Sequence, residues 1–245
     1  MEIYTKKEIR TLPDWKNSVS VIQWTEGRSA FSLAYYFCEK KKKAHVLINK
    51  MLEYVSEKEK ISPKLTINKA VAEIEHHSKF DNYGKGRMQD LAIWENGVGK
   101  MRYFIGIEAK VDEPFNSQTI GEAKNDKKDR VEDLIERYLP NRNEKGIDEM
   151  RYQLLYYLAG SVCENSDLIL MPILVFKTES YNDNRGDNNK KDFEKFFGGN
   201  GMKFKYKKIK DFEVYYGTVE DKSVYVFYAE IDAKDWKYGD KDDLD

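Results

Sequence analysis

Arg87 to Phe115 reads RMQDLAIWENGVGKMRYFIGIEAKVDEPF, and this stretch decides the fold. Leu91 to Trp94 reads as a strand, and Glu95 to Lys100, with Gly97 and Gly99, as a hairpin turn. Met101 to Val111 reads as the next strand, apolar on both faces and therefore central in its sheet. Asp90 begins the first strand, while Glu108 and Lys110 stand near the end of the second. Residues two apart on a strand share a face, so Glu108 and Lys110 point together and Ala109 points away. A hairpin of this kind can bring the carboxylates of Asp90 and Glu108 together.

On the N-terminal side the pattern is helical. Trp24 to Arg28 is a turn opening a helix with Ser29 in its first turn and Ala30, Leu33, Ala34 and Phe37 on one face. Lys40 to Lys43 ends that helix with positive charge, which suits its dipole. Val46, Leu47, Met51, Leu52 and Val55 form the stripe of a second helix. Pro63 separates it from a third, expected over 68–77, with Ala70, Val71 and Ile74 inward. Residues 80–87 read as loop, so no separate strand is expected ahead of Asp90.

On the C-terminal side, 117–138 reads as a polar surface helix stopped by Pro140. An apolar helix follows over 147–162, and then a buried strand over 168–176. Residues 182–191 read as a polar loop, and 204–206, 212–216 and 223–231 as late β structure. The expectation is one α/β domain over 1–238, with a mixed central sheet flanked by helices. A core at about 66–177 carries an N-terminal helical part, 1–62, and a C-terminal β-rich part, 178–238. The helix at 147–162 would cross between parallel strands. The acidic tail, 239–245, reads as disordered.

Composition narrows the function. Lys plus Arg number 42 against 43 Asp plus Glu, so the net charge of -1 gives no global pull toward nucleic acid. Any such partner would need a local basic face. Cys38 and Cys163 lack metal-type spacing and do not form a disulfide framework, which suits a reducing compartment. No apolar run approaches the roughly 20 residues of a membrane span. The N-terminus lacks the apolar segment of a signal peptide. A soluble, cytoplasmic protein is expected, not bound to a membrane.

Two carboxylates held close repel one another, and one takes a proton unless a cation intervenes. Mg²⁺ or Mn²⁺ resolves the conflict, since hard cations bind through one or two carboxylates, waters and substrate phosphate. Such an ion would activate water and stabilise charge on a phosphodiester. Lys110 beside it could orient or deprotonate the water, or neutralise the developing charge. The plain alternative is an edge-strand Glu–Lys pair facing solvent.

Asp90 followed by Glu108-Ala109-Lys110 across a β-turn resembles the PD-(D/E)XK nuclease superfamily, the restriction-endonuclease-like fold. The resemblance covers about residues 66 to 177. It implies that Asp90 and Glu108 hold the metal and that Lys110 is catalytic. The family's crossover helix often carries a glutamine facing the site, which Gln153 matches. Its upstream acid on a helix would be Glu75 or Glu73, with Glu75 nearer the apolar side. Gln89, not proline, precedes Asp90. The implied activity is a metal-dependent phosphodiesterase, a DNA endonuclease, which could act as a homodimer. The rival reading is a non-catalytic module on the same fold that binds nucleic acid or protein.

Other features have plainer readings. His76 and His77 end the helix expected at 68–77. Glu113 could cap the polar helix or add a supporting acid. Arg28 marks a helix start, where backbone amides could hold phosphate. The late aromatic strands complete a sheet.

Overall fold

The computed structural model describes residues 1–5, 8–19, 24–68, 70–84, 86–95, 101–140, 146–199 and 202–236. In chain order these form β1 (Glu2–Tyr4), β2 (Glu8–Ile9), α1 (Leu12–Lys16), α2 (Ser29–Cys38) and α3 (Lys41–Lys58). Then come β3 (Ala70–Ser78), β4 (Arg87–Glu95), β5 (Tyr103–Lys110) and α4 (Ile120–Tyr138). A 3-10 turn at Ile147–Glu149 leads into α5 (Tyr152–Val162), β6 (Leu168–Lys177) and α6 (Asp183–Phe197). The chain closes with β7 (Lys205–Lys208), β8 (Glu213–Val219) and β9 (Lys222–Asp232).

Among the described residues the strands build one mixed nine-stranded sheet, in the order β2-β1-β3-β4-β5-β6-β9-β8-β7. Strands β3, β4 and β5 run antiparallel in sequence, β6 lies parallel to β5, and β9 parallel to β6. Helices α2 and α3 pack on one face, with Leu33, Phe37, Ile48 and Met51 against Leu91, Ile93, Ile105 and Ile107. Helices α4, α5 and α6 pack on the other, with Val131, Leu154, Leu158 and Phe193 against Phe104, Ile169 and Met171. The fold is α/β with a mixed sheet flanked by helices, as expected. Strands β5 and β6 are buried along almost their whole length, which explains apolar residues on both faces.

Four expectations need correction. Residues 68–77 are not a helix: Ala70, Ala72 and Ile74 alternate into the core as strand β3, so a strand does precede Asp90. Strand β4 starts at Arg87 rather than at Asp90. Residues 182–191 are not a loop but the first turns of α6, capped by Asn182 and seated by buried Asn189, Phe193, Phe196 and Phe197. The N-terminal part is not only helical, because β1 joins the sheet parallel to β3. The late strands continue the same sheet through β9. The turn at 96–100 and the tail at 239–245 lie outside the described residues.

The β5–β6 ladder is interrupted beside the site. Pairing runs from Tyr103↔Leu168 to Ile105↔Leu170 and resumes at Glu108↔Ile173. Pro172 falls in the gap, where it has no N–H to donate. The hydroxyl of Tyr157 on α5 fills this gap, donating to Gly106 O at 2.5 Å and reaching Pro172 O at 3.2 Å. Helix α5 is thereby fixed over β5 at the level of the acidic pair.

Candidate active site

The β4–β5 register runs from Trp94↔Phe104 to Leu91↔Ile107. Continued by one residue, it sets Asp90 opposite Glu108. The regular ladder stops there, and the Asp90 carboxylate itself accepts the Ala109 N–H at 2.8 Å. A side chain thus takes over where the backbone pairing ends.

Strands β3 and β4 change face at the same level. Ile74 and Leu91 pair and pack toward α2 and α3. The next pair, His76 and Gln89, would share that face in a regular strand. Instead His76 sets its ring 4.6 Å from Trp94, and Gln89 donates to Ser161 of α5 at 3.3 Å. Glu75, between them, has φ 51, a left-handed conformation rare for a non-glycine residue. The irregularity in β3 therefore falls beside Asp90, where β4 parts from β5.

Glu108 is almost wholly buried, with 2% of its surface exposed. Its Oε1 receives Gln153 Nε2 at 2.8 Å and pairs with Lys110 Nζ at 2.8 Å. Its Oε2 is bound by the Arg87 guanidinium. Lys110 also lies over the Phe115 ring at 5.4 Å. Arg87 crosses Gly160 of α5, where an added Cβ would sit 2.5 Å from the Arg87 Cβ. Gly160 thus makes the slot that admits Arg87 to the site.

Charge explains the protonation of the pair. Burial would raise the Glu108 pKa, but Arg87 and Lys110 outweigh it and hold the carboxyl below its usual value. Asp90 is pushed up to about 7, first by burial and then by the nearby charge of Glu108. These are two acids whose environments drive their titrations apart, an arrangement often found at working sites.

Of the residues singled out in the sequence, the fold brings Asp90, Glu108, Lys110 and Gln153 together. Glu73 and Glu75 lie on a strand, not a helix. The Glu73 carboxylate engages His76 Nδ1 at 2.8 Å, and His76 Nε2 meets Glu164 at 3.0 Å. Among the described residues no group of three His, Cys, Asp or Glu side chains is placed to hold a metal ion. Glu113 caps α2 rather than α4: its Oε1 accepts the Ser29 N–H at 3.3 Å, while Thr119 and Glu122 cap α4. Arg28 is bound to buried Asp112 at 2.8 Å.

Sequence reasoning missed Arg87 and Gln89. Arg87 read as loop, and only the long-range approach of β5 and α5 reveals its role.

Beside the pair opens a cleft of about 460 Å³ that reaches Arg87, Gln153, Lys127 and Arg130. Arg130 is held by Asp81 at 2.7 Å and by the Tyr156 hydroxyl at 2.8 Å. This is a local basic face in a chain of nearly balanced charge.

A family model described as "Domain of unknown function (DUF6946)" matches residues 8–233. No curated protein and no solved structure matches the chain.

Proposed function

The chain belongs to the domain family of unknown function DUF6946, and from that premise we propose a function read from the site itself: a metal-dependent phosphodiesterase acting on nucleic acid, in the manner of a DNA endonuclease. One observation carries the reading. Asp90 and Glu108 come together from adjacent antiparallel strands, with Lys110 and Gln153 on the Glu108 carboxylate. The order α3, β3, β4, β5, α5, β6, with α4 inserted, supports a PD-(D/E)XK-like core.

The donor set suits Mg²⁺ or Mn²⁺ in kind, being two carboxylates with room for phosphate beside them. The raised Asp90 pKa reflects burial first and then repulsion by Glu108, and a cation would offset both. Asp90 and Glu108 would hold the ion, which when bound activates water and offsets charge on the phosphodiester. Gln153 orients Glu108. Lys110 positions or deprotonates the attacking water. Arg87, already at Glu108, must yield an oxygen to the cation and is then placed to meet phosphate. The reading implies a cytoplasmic enzyme, and the free Cys38 and Cys163 suit that setting.

A second reading has its own support. Arg87 and Lys110 already occupy the Glu108 carboxylate, so its charge is compensated without an ion. That favours a non-catalytic module binding nucleic acid or protein on the same scaffold. Cleavage of plasmid or oligonucleotide with Mn²⁺, compared between the native chain and Lys110→Ala, separates the two. Cleavage lost in the variant supports the enzyme; equal cleavage, or none in the native chain, supports the module.

A further inference from the structure

The cleft beside the acidic pair differs from the rest of the surface. Three cations, Arg87, Lys127 and Arg130, face it together with amide side chains and two tyrosines, and among the described residues no acid lines it. Glu108 and Asp81 pair with Arg87 and Arg130 from behind the wall, which leaves Lys127 as the cation turned wholly to the cleft. In a chain with 43 acids and 42 bases that segregation is not the average surface.

Its wall is also distorted. Lys127 breaks helix α4, with φ -141 and ψ 44 between helical segments. The break sets the Lys127 ammonium 5.7 Å over the Tyr152 ring, on the next helix. A broken helix costs stability, and such costs concentrate at binding sites. Two further groups on the cleft's residues are unfinished: Arg87 Nε and the Tyr152 hydroxyl are buried with no hydrogen-bond partner among the described residues. Buried donors without partners call for an explanation.

The dimensions select the ligand. About 460 Å³ lies within the range of small-ligand sites, about 300–1,000 Å³, and suits a nucleotide or two rather than a duplex. Cations for the backbone beside aromatic side chains is the combination that receives an unpaired strand.

We infer that this cleft receives an unpaired nucleotide of a single-stranded polynucleotide, its backbone phosphate held by Lys127 and Arg87 and its base against the tyrosine wall. This deepens the phosphodiesterase reading, because Arg87 joins the cleft to Glu108 and a strand seated there passes the acidic pair. The preferred substrate is then a single strand, or the frayed or flapped part of a duplex.

Binding is tested apart from cleavage. Fluorescence anisotropy of a short labelled oligothymidylate is measured in EDTA with the full chain, against a duplex of equal length. Lys127→Glu is compared with Lys128→Glu, the same charge change at the next, exposed residue. The expected result is a Kd for the strand tighter than for the duplex, weakened about tenfold by Lys127→Glu and less than about twofold by Lys128→Glu. The salt dependence should fall by about one phosphate contact in the first variant only. Equal loss in both variants, no loss in either, or a duplex bound as tightly as the strand would overturn the inference. A chain that binds the strand in this way but never cleaves it defeats the enzyme reading and leaves the cleft assignment standing. A chain that cleaves while Lys127→Glu binds normally does the reverse.

Discussion

The Asp90 carboxylate accepts the backbone N–H of Ala109 at 2.8 Å, one residue beyond Glu108. This single bond replaces the strand ladder at the point where β4 parts from β5, and it brings one acid up to the other. The stability and chemistry of the site follow from that substitution.

Asp90→Asn should keep a hydrogen bond to Ala109 while removing the charge. Asp90 titrates in the folded chain near 7, above its ordinary 3.8. A raised carboxyl pKa means that ionisation opposes folding, so the native chain should gain stability as pH falls from about 7 toward the ordinary value of 3.8. The variant should melt a few degrees higher than the native chain at pH 8 (on the order of 1 kcal/mol per ~2–4 °C) and keep less than about half of that advantage near pH 5. Thermal melts at both pH values check this; an equal advantage at both would contradict it.

Glu108→Gln should behave in the opposite sense. Arg87 and Lys110 would remain buried beside a neutral amide. Breaking one side of a buried ion pair costs about 3–5 kcal/mol, so urea titration should show a loss of that order. Little change in the midpoint would mean that the cations find other partners.

Gly160→Ala places a methyl where Arg87 passes, 2.5 Å from its Cβ. Overpacking of this kind costs about 1–3 kcal/mol. The same change should displace Arg87 from Glu108, so a combined Gly160→Ala, Arg87→Gly chain, which lacks the clashing Cβ, should lose clearly less than the sum of the two single losses. Additive losses in a double-mutant cycle would show that the two are not coupled.

His76 gives the account a second pH dependence. Burial alone would lower its pKa, but Glu164 and Glu73 outweigh this and raise it. The contribution is full below the ordinary value of 6.5 and is lost as pH rises through the folded value. His76→Gln should therefore destabilise the chain by about 1 kcal/mol more at pH 6 than at pH 9. Chemical denaturation at the two pH values decides it, and a loss that does not depend on pH would remove the charged pairing.

Asp90, Glu108 and Lys110 were legible because strand alternation is a local property, whereas Gln153, on helix α5, was marked only by the family resemblance. Glu108 and Lys110 lie two apart in an apolar run, and Asp90 was read as the start of a strand, so the hairpin juxtaposition follows from the period. Strand β3 was misread because Ala70, Val71 and Ile74 also fit a helical face, and Ala and Glu are good helix formers. The alternation of Ala70, Ala72 and Ile74 carried the true signal. Helix α6 was hidden by an N-terminal half rich in Asn, Asp and Gly, while its buried Asn189, Phe193 and Phe197 keep four-residue spacing. Arg87 was illegible for another reason: its partners, Glu108 and the Gly160 slot, are distant in sequence.

The central claim is that Asp90 and Glu108 together take a divalent cation in order to hydrolyse phosphodiesters. Calorimetric titration with Mn²⁺ of the native chain and of Asp90→Asn, both shown to be folded by their melts, tests it most directly. The account predicts a binding isotherm in the native chain that the variant loses, together with Mn²⁺-dependent cleavage. Identical isotherms in the two proteins, or no heat in either, would contradict it.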